Sequence, residues 1–391
     1  MKYILITITF LSTHVVYSQG LEEIWVLTAK MDVLNDSIIS LQPDSLNKYT
    51  DVLPDSSYFS QYGFLIEFSD NNIVSYGNIG QHIKSGHYLQ YNDTIKFQAD
   101  TLKIKAIKNQ DLLTVLDLDK TNWQNSHFIF DRLNSRSIKN VENSIQDFRM
   151  KQYWHIKTDS LSKSFGINLL LTDSSRVIIH RRYDDWYSET TSGLFQLNQY
   201  KNNLFLYIID EMSLDEYFFH IFSKEDDVYF SESFERGRNV EKPTRFINSF
   251  SNINLPTLKD LKSISNKLIG NWRSSGSSFP FDARLSEFDS IVDTYYYCRF
   301  SKNKFEIRYG GTLLKEGQRV PKSVKYIGNW KIGRTGKYLE LYPENDYLIY
   351  LTIKKLTKKE ATISISTEAV DDDWSEIKNS IELRKVVRQN K

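Results

Sequence analysis

At 391 residues the chain exceeds what one hydrophobic core serves, so two or three cores are expected. Fifty basic side chains stand against 49 acidic ones, which excludes the net basic footprint of a nucleic-acid binder. A hydrophobic share of 40% with 14% aromatics, beside 7 Pro and 16 Gly, excludes a disordered or collagen-like polymer.

The first element in chain order is an address. Lys2, the apolar run Tyr3 to Leu11 and the small-residue exit Val16-Tyr17-Ser18 have the plan of a secretory signal peptide over residues 1–18, with Gln19 as the mature start. No later stretch reaches the roughly 18 to 20 apolar residues of a membrane helix, so no transmembrane segment is expected. The single cysteine, Cys298, allows no intrachain disulfide and reads as a small core side chain.

Three β-rich blocks follow, opened by Trp25, Trp154 and Trp272, which stand 129 and 118 residues apart. Each begins with a hairpin around a polar turn. In the first block Phe64 to Phe68 is followed by Ser69-Asp70-Asn71-Asn72 and Ile73-Val74. The second block has Leu169 to Leu171, Thr172-Asp173-Ser174-Ser175 and Val177 to Ile179, and the third has Tyr296 to Phe300, Ser301-Lys302-Asn303-Lys304 and Phe305 to Ile307. Each block then carries a glycine two residues ahead of an aromatic, in Gly86-His87-Tyr88, Gly193-Leu194-Phe195 and Gly328-Asn329-Trp330. Such a glycine lets backbones approach closely where the aromatic joins the core. A second hairpin and a closing strand complete each block, the closing strands being Phe128 to Phe130, Thr244 to Ile247 and Ile381 to Val386. Three divergent copies of one β unit account for this order.

The joins between blocks have helical periodicity. Ile138, Val141, Ile145 and Phe148 form one stripe, and Leu258, Leu261, Ile264 and Leu268 form another, so each join is predicted to hold a short amphipathic helix that braces a barrel mouth. The division expected is a signal peptide (1–18), module one (19–135), a helical linker (136–152), module two (153–250), a second linker (251–267) and module three (268–391).

Gly270-Asn271-Trp272, with Gly328-Asn329-Trp330 ahead of a later strand, resembles the lipocalin-like domain of exported Gram-negative bacterial proteins, most clearly in the last third of the chain. That resemblance implies an all-β fold of three tandem small antiparallel barrels joined by short helices. It implies Trp25, Trp154, Gly270, Trp272, Gly328 and Trp330 as structural barrel positions. Glycine is absent two residues before Trp25 and Trp154, where Glu23 and Gln152 stand. In an up-and-down barrel the first and last strands meet, so an arginine of the closing strand can cover the opening tryptophan; Arg384 over Trp272 and Arg132 over Trp25 are the expected pairs.

Reaction chemistry has no handle in this sequence. There is no His-Glu-x-x-His, Gly-x-Ser-x-Gly, P-loop or Gly-x-Gly-x-x-Gly pattern, so no catalytic residue, metal or cofactor is expected. His82 and His87 lack a fixed metal spacing, and Asp371-Asp372-Asp373-Trp374 lacks the ligand alternation of a calcium loop. Tyr183, Trp186 and Tyr187 lie in a polar stretch with Asp184 and Asp185, and read either as a sugar-binding platform or as a lid over the second barrel. The expectation is a non-catalytic protein exported to the periplasm, outer envelope or exterior, binding a small apolar ligand or glycan through its barrels. The competing expectation is a structural protein with filled barrels that docks another envelope protein. Bulky inward side chains favour filled barrels; small or polar ones favour a cavity.

Overall fold

The computed structural model describes residues 23–34, 37–40, 64–69, 72–79, 83–91, 94–99, 102–109, 112–117, 126–133, 141–158, 166–172, 175–182, 188–212, 216–235, 244–274, 291–315, 317–344, 348–365 and 380–386. The chain is all-β with barrel modules; its strands pair antiparallel, and among the described residues two helices interrupt them. The described elements fall into two compact units, one ending at the strand that closes with Arg132, the other starting at Val141. The expected signal peptide lies outside the described residues.

The first unit is a nine-stranded sheet of β1 (Glu23–Leu34), β2 (Ser37–Ser40), β3 (Phe64–Ser69), β4 (Ile73–Asn78), β5 (Lys84–Tyr91), β6 (Thr94–Ala99), β7 (Leu102–Asn109), β8 (Leu112–Asp117) and β9 (Ser126–Arg132). β1 pairs with β3 near its start and with β2 near its end, and it also pairs with β9. A register shift between Leu27 and Ala29 bends β1 as it meets β9. Trp25, Ile66, Phe68, Val74, Tyr76 and Tyr88 form the core beneath.

The second unit holds two closed barrels. Helix α1 (Val141–Lys151) leads into β10 (Tyr153–Thr158), β11 (Gly166–Leu171), β12 (Arg176–Arg182), β13 (Ser188–Tyr200), β14 (Asn203–Asp210), β15 (Glu216–Glu225), β16 (Val228–Glu235) and β17 (Thr244–Asn252), and β17 returns to β10. Helix α2 (Leu258–Leu268) leads into β18 (Gly270–Ser274), β19 (Ile291–Phe300), β20 (Lys304–Lys315), β21 (Gln318–Ile332), β22 (Tyr338–Pro343), β23 (Ile349–Leu356), β24 (Glu360–Ile365) and β25 (Ser380–Lys385), which closes on β18. Closure pairs every strand on both sides and leaves no exposed sheet edge.

The repeated sequence features occupy equivalent strands. The glycine and its following aromatic fall on the fourth strand of each ring, counting β1 and β3 as the first two of module one, and Tyr88, Phe195 and Trp330 are all buried. At Gly193 an added Cβ would stand 2.1 Å from the Ile209 carbonyl oxygen, and at Gly328 it would stand 2.0 Å from that of Tyr342. The expected close backbone approach is therefore real in both barrels. The fifth strands β14 and β22 were not among the predicted hairpins. In β14 the reason is plain: all eight residues are buried, so the run lacks the alternation that marks a strand with one wet face.

Both helices plug a barrel end. Phe148 of α1 is fully buried and stacks on Trp154 with ring centroids 4.3 Å apart, and the Trp154 indole N–H donates to the Phe148 carbonyl. In the third module the Trp272 indole donates to the Leu268 carbonyl of α2 at 2.7 Å. Trp154 and Trp272 thus each donate to a carbonyl in the last turn of the helix before them, and that of Phe148 also accepts from the Gln152 backbone N–H. Leu258, expected on the buried stripe, is instead 86% exposed. It is the first residue of α2, whereas Ile264 and Leu268 near the other end make the contact with the core.

The missing glycine before Trp154 has a structural substitute. Gln152 takes a left-handed backbone (φ 55°) two residues before Trp154, as Gly270 takes a positive φ of 142° two residues before Trp272. The first conformation admits a side chain at some cost, while the second is the province of glycine.

The pairing of Arg384 with Trp272 is corrected. Arg384 stands opposite Arg273 and is exposed, because Ile381 and Leu383 point inward and alternation turns residue 384 outward. Lys385 stands opposite Trp272, and its Nζ lies 5.2 Å from the ring centroid. Arg132 does stand directly opposite Trp25, and its guanidinium pairs with Glu23 at 2.7 Å.

Candidate binding surface

Bulky side chains pack the interiors of both closed barrels. In the second module Trp154, Ile167, Leu169, Ile179, Phe195, Leu206, Phe219, Tyr229 and Phe250 pack as one cluster. In the third, Trp272, Tyr296, Phe300, Phe305, Tyr309, Trp330, Leu339 and Leu341 do the same. Cys298 belongs to that cluster as the small core side chain expected, and burial pushes its thiol up to about 12.

Toward one rim of the second barrel the inward layer turns polar. Val177 and Ile179 of β12 line the core, and two residues on Arg181 follows them inward, with no exposed surface. Its Nη2 meets Asp210 at 2.6 Å, its Nη1 meets Glu189 at 2.8 Å, and its Nε donates to the Tyr217 hydroxyl at 2.7 Å. Thr191 also donates to Asp210, as does the Met212 backbone N–H at 2.7 Å. A buried guanidinium with all its faces bonded is a brace: removing one partner would leave an uncompensated charge. Sequence reading missed this network, although the alternation Val177, Ile179, Arg181 was its visible signal.

The two barrels meet along β13 and the β23–β24 pair. There Thr190 and Thr352 share a hydrogen bond of 2.6 Å between hydroxyls, and His180 Nδ1 lies 2.7 Å from Thr190. Arg334 donates to the Gln152 side chain at 2.9 Å, adding a use for the residue that replaces the glycine. Burial, with the charge of Lys337, pushes the His180 imidazole down to about 4. Burial alone does the same to His220, which bonds Asn203 and stacks on Phe205.

The outer wall of the third barrel carries the best candidate for binding. A cleft of about 670 Å³ opens over β18, β19 and β20, lined by Arg273, Tyr295, Tyr297, Arg299, Glu306 and Arg308. These residues share the outward face because their inward neighbours Trp272, Tyr296, Cys298, Phe305 and Ile307 are core. Register arranges them in a lateral row: Arg384 opposite Arg273, Arg273 opposite Tyr297, Tyr297 opposite Arg308, and Arg308 opposite Lys325. Glu306 binds Arg308 at 2.5 Å and lies 3.7 Å from Lys325. Burial raises the Glu306 carboxyl, but the bonds and charges of Arg308 and Lys325 more than offset this and hold it below the usual carboxylate range. Among the described residues no ion pair engages Arg273, Arg299 or Arg384. Arg273 and Arg384 face each other as like charges, an arrangement that disfavours a sheet pair, while Glu360 stands opposite Arg384 on β24 and Glu306 opposite Arg299 on β20.

A second cleft, of about 510 Å³, lies beside α2 and is lined by Lys259, Lys262, Lys267, Lys358 and Lys385. Burial lowers the Lys385 ammonium, which donates to the Lys267 carbonyl at 3.0 Å. Among the described residues no aromatic side chain lines it.

The aromatic trio Tyr183, Trp186 and Tyr187 lies outside the described residues, as do His82 and Asp371 to Trp374. Among the described residues no helix is long and apolar enough to cross a membrane. The chain matches no family model and no curated protein.

Proposed function

We propose that this is a non-catalytic, exported binding protein whose lipocalin-like barrels are filled supports and whose partner is engaged on the outside of the third barrel. The observation that carries this reading is the packing of bulky side chains across both barrel interiors, set against an open, charged and aromatic cleft on an outer wall. A protein that held a small apolar molecule inside would need small inward residues to leave it room. Here Trp, Phe, Tyr, Leu and Ile dominate the inward clusters, with small members such as Val177, Cys298 and Ala361 between them and the Arg181 ion network in the second barrel. The reading gives the partner role to a glycan or an envelope component.

Native mass spectrometry of the mature chain, purified from its own envelope without detergent, tests this. The expected result is the mass of the chain without a retained apolar molecule. A discrete apolar mass that leaves only on denaturation would overturn the reading and return the function to a hollow barrel.

A further inference from the structure

We propose that the arginine and tyrosine row on the outer wall of the third barrel binds an acidic glycan, a sugar chain bearing carboxylate or sulfate groups. This rests on the reading of filled barrels and names the partner of their outer surface. Three observations carry it. First, Arg273, Arg299 and Arg384 are exposed guanidiniums with no ion pair among the described residues. A guanidinium fork matches an oxyanion in two parallel hydrogen bonds.

Second, tyrosines stand among the arginines. Tyr295 is 46% exposed, and Tyr297, whose hydroxyl donates to Asn271 at 3.0 Å, separates Arg273 from Arg308 in the row. Ring faces held this way offer an apolar surface to sugar C–H groups between the charged substituents. The row crosses five strands, about 19 Å at ~4.8 Å per step, which suits an oligosaccharide better than a single sugar.

Third, the cleft contains a carboxylate. Glu306, kept ionised by Arg308 and Lys325, accepts hydrogen bonds, and a glycan supplies hydroxyl donors in abundance. A phosphodiester chain offers few such donors and is repelled by the same charge. The mixture of donors, acceptors and rings therefore favours an acidic sugar over a nucleic acid. The lysine cleft beside α2 has the charge without the rings, and serves as an internal control.

The test measures binding of the mature full chain to alginate, dextran sulfate, neutral dextran and single-stranded oligo-dT by isothermal titration at about physiological ionic strength. Binding of alginate or dextran sulfate, with neutral dextran and oligo-dT at least tenfold weaker, is expected; whichever of the two acidic polymers prevails identifies carboxylate or sulfate as the anion. R273A with R299A should weaken binding at least tenfold while leaving the melting temperature in place. Y297S should weaken it severalfold without changing its salt dependence, because the ring contributes no charge. K259A with K262A should leave it within twofold. The proposal fails if neither acidic polymer binds, if oligo-dT binds as well as the sugars, or if the lysine pair matters as much as the arginine pair. A bare native mass together with failed glycan binding would sink this inference and leave the filled-barrel reading standing, whereas a retained apolar mass would sink that reading itself.

Discussion

The second barrel buries Arg181 against Asp210, Glu189 and Tyr217 inside its wall, while the third keeps a largely apolar and aromatic interior and turns Arg273, Arg299, Arg308 and Arg384 outward. Both barrels share the helix, the opening tryptophan bonded to it, the left-handed residue two positions earlier and the close-packed glycine of the fourth strand. The shared features all serve closure. What differs is where charge goes, and the difference follows from strand alternation: a shift of one position moves an arginine from core to surface. A buried, fully bonded arginine belongs to stability, and the exposed row is where we propose binding.

The sharpest way to break this comparison is to delete the shared plug. W154A and W272A should each cost about 3–5 kcal/mol, read by denaturant unfolding of the mature chain, because each removes a fully buried ring and a helix-end hydrogen bond. Equal and small losses would mean that the tryptophans do not hold the barrels closed.

Next comes the contrast between arginines. R181A should cost about 3–5 kcal/mol by stranding Asp210 and Glu189, whereas R273A should change stability by less than about 0.5 kcal/mol. Similar effects at the two positions would erase the distinction between brace and binding row.

Acid should strike the second barrel. His180 and His220 have folded pKa values depressed to about 4, against 6.5 in the unfolded chain. Protons therefore bind the unfolded state first as pH falls. The stability these neutral imidazoles contribute is complete above about pH 6.5 and is lost between there and pH 4, at about 1.4 kcal/mol per pH unit for each. Melting temperatures across this window should fall, and H180Q should reduce the slope by about half. A flat profile would show that the histidines are not buried neutral.

The smallest effect separates the two left-handed positions. G270A should destabilise by about 1–3 kcal/mol, since φ 142° resists any side chain and the new Cβ would lie 2.4 Å from Lys385 Cε. Q152G should be nearly neutral, because relief at φ 55° is offset by greater freedom of the unfolded chain and loss of the Arg334 bond. Urea midpoints of the two variants would check this, and equal losses would deny that Gln152 substitutes for the glycine.

Much of the repeat could be read from residues alone, since turn chemistry at Asp173-Ser174-Ser175 and Ser301 to Lys304 and glycines at 193 and 328 are local signals. The cation over Trp272 could not. Arg384 and Lys385 are neighbours in sequence, and only the register on β18 decides which of them faces the ring. The arginine row was equally hidden, because Arg384, Arg273, Tyr297, Arg308 and Lys325 come from five strands and no sequence window contains them together.

The sequence by itself determined that this chain is rich in antiparallel strands, organised as related blocks, with helical joins ahead of Trp154 and Trp272, because strand period, turn residues and helix period are properties of neighbouring residues. Tertiary structure alone decided that the barrels are filled, that Arg181 is a buried brace, and that arginines from separate strands converge beside tyrosines. Those outcomes depend on closure and register, which bring distant residues together through pairings that local chemistry does not fix.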